Sequence, residues 1–83
     1  GMTPRALHAF LMIRLEREDE PVSSITDVVE QQGIPIEVIG RHWPSRRVPS
    51  VVVRVPQHRV AEAILALELQ GFSDVVAYQA GED

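Results

Sequence analysis

Val51-Val52-Val53-Arg54-Val55-Pro56 runs through a stretch from Gln57 to Gln70 into Gly71-Phe72, and this segment decides the fold. Val51, Val53 and Val55 alternate with Val52 and Arg54, the period of a strand, and Pro56 closes it. From Gln57 to Gln70, Val60, Ile64 and Leu67 recur at helical spacing, with Ala61, Ala63 and Ala66 beside them. Gly71 is the residue type that ends helices. Phe72 to Gln79 then reads as a further strand.

The same unit stands earlier in the chain. Ile13-Arg14-Leu15 matches Val53-Arg54-Val55, and Gln32-Gly33-Ile34 matches Gln70-Gly71-Phe72. Leu7, Ala9, Leu11, Ile13 and Leu15 alternate with His8, Phe10, Met12, Arg14 and Glu16, giving the first strand. The acidic loop Glu16-Arg17-Glu18-Asp19-Glu20 follows. Pro21 suits the first turn of a helix, where a missing N–H is not felt. Ser23 and Ser24 are expected as its caps. Val22, Ile25 and Val29 mark the buried face of that helix, and Gly33 marks its end. Ile34, Ile36 and Val38 alternate with Pro35, Glu37 and Ile39, giving the second strand. Pro35 cannot donate to a ladder, so this strand belongs at an edge. Trp43-Pro44-Ser45-Arg46-Arg47 is the hairpin tip before the third strand.

The order is β-α-β-β-α-β. Two right-handed β-α-β units interleave into an α+β, ferredoxin-like fold. The expectation is one four-stranded antiparallel sheet, order 4132, with two helices on one face and the first and third strands central. Residues 2–80 form one domain, Gly1 reads as a tag scar and 81–83 as a frayed end. Leu7, Leu11, Val38, Val53 and Val75 are assigned to the helix side. His8, Phe10, Met12, Arg14, Glu37, Ile39, Arg41, Trp43, Val52, Arg54, Val76 and Tyr78 are assigned to the open side.

Composition narrows the chemistry. The chain has 83 residues, 45% hydrophobic and 24% charged, which is ordinary for a globular domain. With no cysteine there are no disulfides and no thiol nucleophile. All eight basic residues are arginine, so there is no Schiff-base or P-loop lysine. Ala9 to Ile13 is too short an apolar run to span a bilayer, and the expected location is cytoplasmic. GxGxxG, GxxxxGK[ST], HExxH and GxSxG are all absent from the sequence. His8, His42 and His58 are too scattered to read as a metal cluster. The expectation is therefore no enzyme, no cofactor and no metal. Arg41-His42-Trp43 with Arg46-Arg47 mixes basic and aromatic groups, as single-stranded nucleic-acid binders do. The net charge of −4 gives no general attraction to nucleic acid, so none is expected as a partner.

The open side collects large apolar groups and arginines, the residue types of interfaces. Phe10, Met12, Ile36, Ile39, Trp43, Val52 and Tyr78 are the candidate interface residues. Two modes are open: pairing along the second strand's edge, or stacking of two open faces, giving a dimer or a tetramer.

Val28-Val29-Glu30-Gln31-Gln32-Gly33-Ile34-Pro35-Ile36-Glu37 resembles the helix exit "I-L-x-x-x-G-I-x-I-E" of the ACT-domain family of small regulatory modules. The run from Val51 to Asp74-Val75-Val76 is also similar. The nearest likeness is to the C-terminal ACT domain of homoserine dehydrogenase, and the length is similar to the free-standing ACT subunits of acetolactate synthase. The resemblance implies a regulatory module that oligomerises and senses an amino acid or related metabolite. An alternative it leaves open is a subunit that pairs with a separate amino-acid-biosynthesis enzyme and holds no ligand. A nucleic-acid-linked module using the Arg-rich hairpin is the second alternative. Family ligands sit where the loop after the first strand meets a neighbouring chain, which here implies Asp19, Glu20, Pro21, Val22, Ile34 and Ile36. The family pattern "D-x-P-G" aligns with Arg17-Glu18-Asp19-Glu20, so Glu20 stands where glycine would and Pro21 is displaced by two positions. The loop's acidic surplus repels a ligand carboxylate, and weak or no amino-acid binding is expected there.

Overall fold

The computed structural model describes residues 7–17, 19–42 and 49–79. Their elements are β1 (His8–Arg14), α1 (Ser23–Glu30), β2 (Glu37–His42), β3 (Ser50–Pro56), α2 (Val60–Leu69) and β4 (Val75–Gln79), with a 3₁₀ turn at Gln57–Arg59 leading into α2. The sheet is antiparallel in the order β2-β3-β1-β4, as the interleaved repeats require.

The alternation of β1 and β3 sorts their side chains cleanly. Leu11 and Ile13 from β1, and Val51, Val53 and Val55 from β3, are fully buried. Ile25 and Val29 of α1, and Ala63 and Leu67 of α2, close over them, joined by Leu15 and Ile34. Each such Leu, Ile or Val contributes roughly 1.5–3 kcal/mol on burial.

Both glycines that end the helices adopt left-handed backbone, Gly33 at φ 74° and Gly71 at φ 100°. At α2 the Gly71 N–H donates to the Glu68 carbonyl (3.0 Å) and the Phe72 N–H to that of Leu67 (3.1 Å). That paired closure is the Schellman arrangement. After α1 the Gly33 N–H donates to Glu30 (2.9 Å). The Arg59 guanidinium reaches across to the Gln32 carbonyl at 3.1 Å. This puts a cation at the electronegative end of α1 and links the two helices.

Several boundaries differ from the sequence reading. β2 begins at Glu37, not Ile34: extending its register would set Pro35 opposite Pro56, two residues without N–H groups. β4 begins at Val75, because the Phe72 N–H is spent on the α2 terminus. Leu7 is 67% exposed; it shares the parity of buried Ala9 but lies at the rim, where its carbonyl accepts the Gln57 N–H at 2.9 Å. Val38, on the edge strand, is 40% exposed. The serines do not cap α1: the Ser24 hydroxyl donates back to the Pro21 carbonyl at 2.8 Å.

A Cβ at Gly71 would meet nothing within 4 Å, so substitution there is opposed by backbone conformation alone. Gly71→Ala is expected to lower stability by about 1–2 kcal/mol, with Gly71→Asn milder. Denaturant unfolding of both variants checks this.

Candidate functional site

The β1–α1 loop starts from a buried anchor. The Leu15 side chain lies in the core and its N–H donates to the Pro49 carbonyl at 2.9 Å. The chain then turns back on itself, with the Glu20 N–H donating to the Arg17 carbonyl (3.2 Å). The Arg17 guanidinium pairs with Asp19 at 3.2 Å. The Glu20 carboxylate accepts the Glu16 N–H at 3.0 Å. The residue standing in the glycine position of the family pattern thus fills a backbone donor of its own loop.

The second tie comes from β2. Val38 pairs with Val53, yet Gly40 pairs with Val52, so Ile39 is an extra residue at a bulge. A bulge reverses parity. Glu37 lies opposite Arg54 on the open side, but Arg41 lies opposite Val51, whose side chain is buried beneath the helices. Arg41 therefore belongs to the helix side, not the open side the alternation implied. Its guanidinium donates to the Glu20 carbonyl at 2.7 Å. In the first turn of α1, the Ser24 N–H goes to Pro21 and the Ile25 and Thr26 N–H groups go to Val22.

Of the six residues implied as a ligand site, Asp19, Glu20, Pro21 and Val22 lie together in this loop. Ile34 is buried in the core and Ile36 packs against it. The interface residues divide differently. Phe10, Met12 and Val52 are half-buried on the open face, with Val76 exposed beside them. Met12 lies between Val52 and Val76 in register, and Phe10 between Arg54 and Tyr78. The ion pairs Arg54–Glu37 and Arg14–Asp74 (3.6 Å) rim this apolar centre. Ile39 is half-exposed at the bulge. Trp43 and the arginines of the hairpin tip lie outside the described residues.

A cavity of about 400 Å³ opens between the end of β1 and the α2–β4 turn, with Arg14, Glu16, Phe72 and Ser73 on its walls. A second, of about 200 Å³, is lined by His8, Ile36, Glu37 and Arg54. Among the described residues, no three His, Asp or Glu side chains are placed to share a metal ion. No described helix is long and apolar enough to cross a membrane.

The sequence reading missed two features. Arg41 as the tie to the loop follows from the bulge, for which Gly40 inside a strand pattern was the available signal. Leu65 and Leu69, 58% and 75% exposed on α2, were passed over because the core positions alone explained that helix.

No protein-family model matches the chain, and no curated protein matches it in sequence. Among solved structures, the ligand-free regulatory subunit of aspartate kinase from Thermus thermophilus superposes with a TM-score of 0.66 at 18% identity. The fold is ACT-like. The match covers 89% of this chain and 52% of that one, so the chain spans about half the length of its structural neighbour. Within the ACT-like frame, the Glu20–Arg41 tie joins the β1–α1 loop to the edge strand.

Arg41→Ala is expected to speed amide hydrogen exchange from Glu16 to Val22 while changing global stability by no more than about 1 kcal/mol, since the contact is exposed. Exchange measured residue by residue checks this.

Proposed function

We propose that this chain is a non-catalytic regulatory module that acts through contact between chains, with no free amino acid held at its β1–α1 loop. The state of that loop carries the reading. The Glu20 carboxylate occupies the Glu16 N–H, and Arg41 occupies the Glu20 carbonyl. A ligand carboxylate approaching α1 meets the acidic groups of Glu16, Asp19 and Glu20, with Arg17 already paired to Asp19. Anion binding at a helix start needs a favourable field, which these carboxylates oppose, and open N–H groups, of which those of Ser24, Ile25 and Thr26 are already bonded within the turn.

The contact surfaces are the β2 edge and the open face. Among the described strands β2 pairs with β3 alone and so stands at an edge of the sheet. The open face has the anatomy of an interface, an apolar centre within a polar rim. Pairing β2 and α1 of two chains side by side gives one continuous sheet, stacking open faces gives a second mode, and a tetramer uses both. The partner is a second copy or an amino-acid-biosynthesis enzyme. The motif at 28–37 favours the homoserine dehydrogenase likeness, whereas the length favours a subunit of the acetolactate synthase type.

A metabolite-sensing reading has one observation in its favour. The 400 Å³ cavity carries a guanidinium, Arg14, and a carboxylate, Glu16, the pair of charges that fits a zwitterion. A thermal-shift screen over the amino acids separates the two readings, because a ligand bound only to the native state raises the melting temperature. The contact reading expects no shift. A shift lost in Arg14→Ala supports the cavity, and a shift lost in Asp19→Ala overturns the closed loop.

Light scattering at high micromolar concentration is expected to show a dimer or larger species. Phe10→Arg is expected to dissociate the stacked mode, because it places a cation at the apolar centre. A monodisperse wild-type monomer overturns self-assembly and leaves the enzyme as partner.

A further inference from the structure

The two helices of this domain face outward differently. α1 is amphipathic: Ile25 and Val29 are buried, and its outer side carries exposed Ser23, Asp27 and Glu30. α2 reads Val60-Ala61-Glu62-Ala63-Ile64-Leu65-Ala66-Leu67-Glu68-Leu69 and is apolar nearly all round. Ala63 and Leu67 serve the core, with Val60 and Ile64 packed against it. Ala61, Leu65 and Leu69 repeat at i, i+4 and i+8, which sets them along the opposite side. Leu65 is 58% exposed and Leu69 75%. Helices apolar on all sides are normally covered, and among the described residues nothing covers this stripe.

The charges around the stripe state what fits it. Glu62 and Glu68 flank it, both exposed, and Asp27 and Glu30 add to the same helical layer. The strong base in that layer, Arg59, is spent on Glu62 and on the Gln32 carbonyl. A second copy laid helix layer to helix layer would set this acidic surplus against itself. With Glu62 paired to Arg59, the acidic surplus of the layer rests on Glu68, Asp27 and Glu30, and a helix with an apolar stripe and basic flanks would meet complementary charge there.

We infer that the outer face of α2, centred on Leu65 and Leu69 and flanked by Glu62 and Glu68, is a docking surface for a cationic amphipathic helix of another protein. This surface is separate from the β1–α1 loop and from the open sheet face, and the inference stands on α2 alone, apart from the regulatory reading.

The test uses two synthetic helical peptides with one leucine stripe, one flanked by lysine and arginine, the other by glutamate. Each is titrated into the full chain and followed by amide chemical shifts. The basic peptide is expected to saturate, to shift Ala61, Leu65 and Leu69, and to weaken as salt rises. Leu65→Asp with Leu69→Asp is expected to weaken it by about tenfold or more; both side chains are exposed, and circular dichroism confirms that the fold persists. Glu62→Lys with Glu68→Lys is expected to reverse the preference toward the acidic peptide. Equal binding of both peptides, shifts confined to the open sheet face, or no saturation each overturn the inference. Self-association of the wild type that Leu69→Asp abolishes also overturns it, in favour of a second copy.

Discussion

Everything in this domain hangs on β1 lying against β3. Seven residue pairs run in unbroken register from His8 opposite Pro56 to Arg14 opposite Ser50. Both strands are central, and both place every second residue under the helices. A slip of one residue in either strand would turn that strand over: Leu11 and Ile13 of β1 would go to the open face and Phe10 and Met12 inside, or Val51, Val53 and Val55 of β3 would go out and Val52 and Arg54 in. The register is therefore fixed by the core, and the edge strands inherit their positions from it. The helices inherit theirs as well, since each right-handed crossover must land on the same face of the sheet.

That rigidity makes the one irregularity consequential. β3 cannot shift to accommodate β2, so the extra residue at Ile39 is absorbed by β2 alone. The result is a strand with two parities. Its first half follows the alternation and sends Glu37 to the open face, where it pairs with Arg54. Its second half is reversed and sends Arg41 to the helix side, within reach of the β1–α1 loop. A single inserted residue thus moves a guanidinium from one surface of the sheet to the other and closes a loop in the process.

These facts show where the sequence was legible. The fold could be read because two independent signals agreed: an alternating strand followed by a glycine-ended helix, occurring twice, each constraining the other. Agreement of this kind between local pattern and global topology marks a well-specified fold. The start of β2 was misread because Ile34 and Ile36 keep the alternation of a strand while the ladder that would hold them is missing opposite Pro56. Arg41 was misread because alternation was extended through Gly40, and parity carries no memory of a bulge. Ser23 and Ser24 were misread because residue type at a helix start states a preference, and here the Ser24 hydroxyl finds the Pro21 carbonyl instead. In the β1–α1 loop, Glu20 was singled out for standing where the family pattern has glycine, and its carboxylate accepts the Glu16 N–H. Its partner Arg41 was not, because the contact depends on a tertiary detail twenty-one residues away.

The internal repeat offers a final comparison. Both helices descend onto the same core through the same strand–helix–glycine unit, so similar outer surfaces would be expected if solvent were their common environment. α1 meets that expectation with serine and carboxylates, and α2 does not. Core packing cannot explain the difference, since Ala63 and Leu67 already supply the buried contacts of α2 and Leu65 and Leu69 point elsewhere. Helix propensity accounts for leucine and alanine as residue types but not for their arrangement in one stripe between two glutamates, because lysine or glutamine would serve equally well at those positions. An exposed leucine removed from water contributes roughly 1.5–3 kcal/mol, whereas left in solvent it contributes nothing to the fold. The inferred docking of a partner helix accounts for the stripe better than anything it does within the domain.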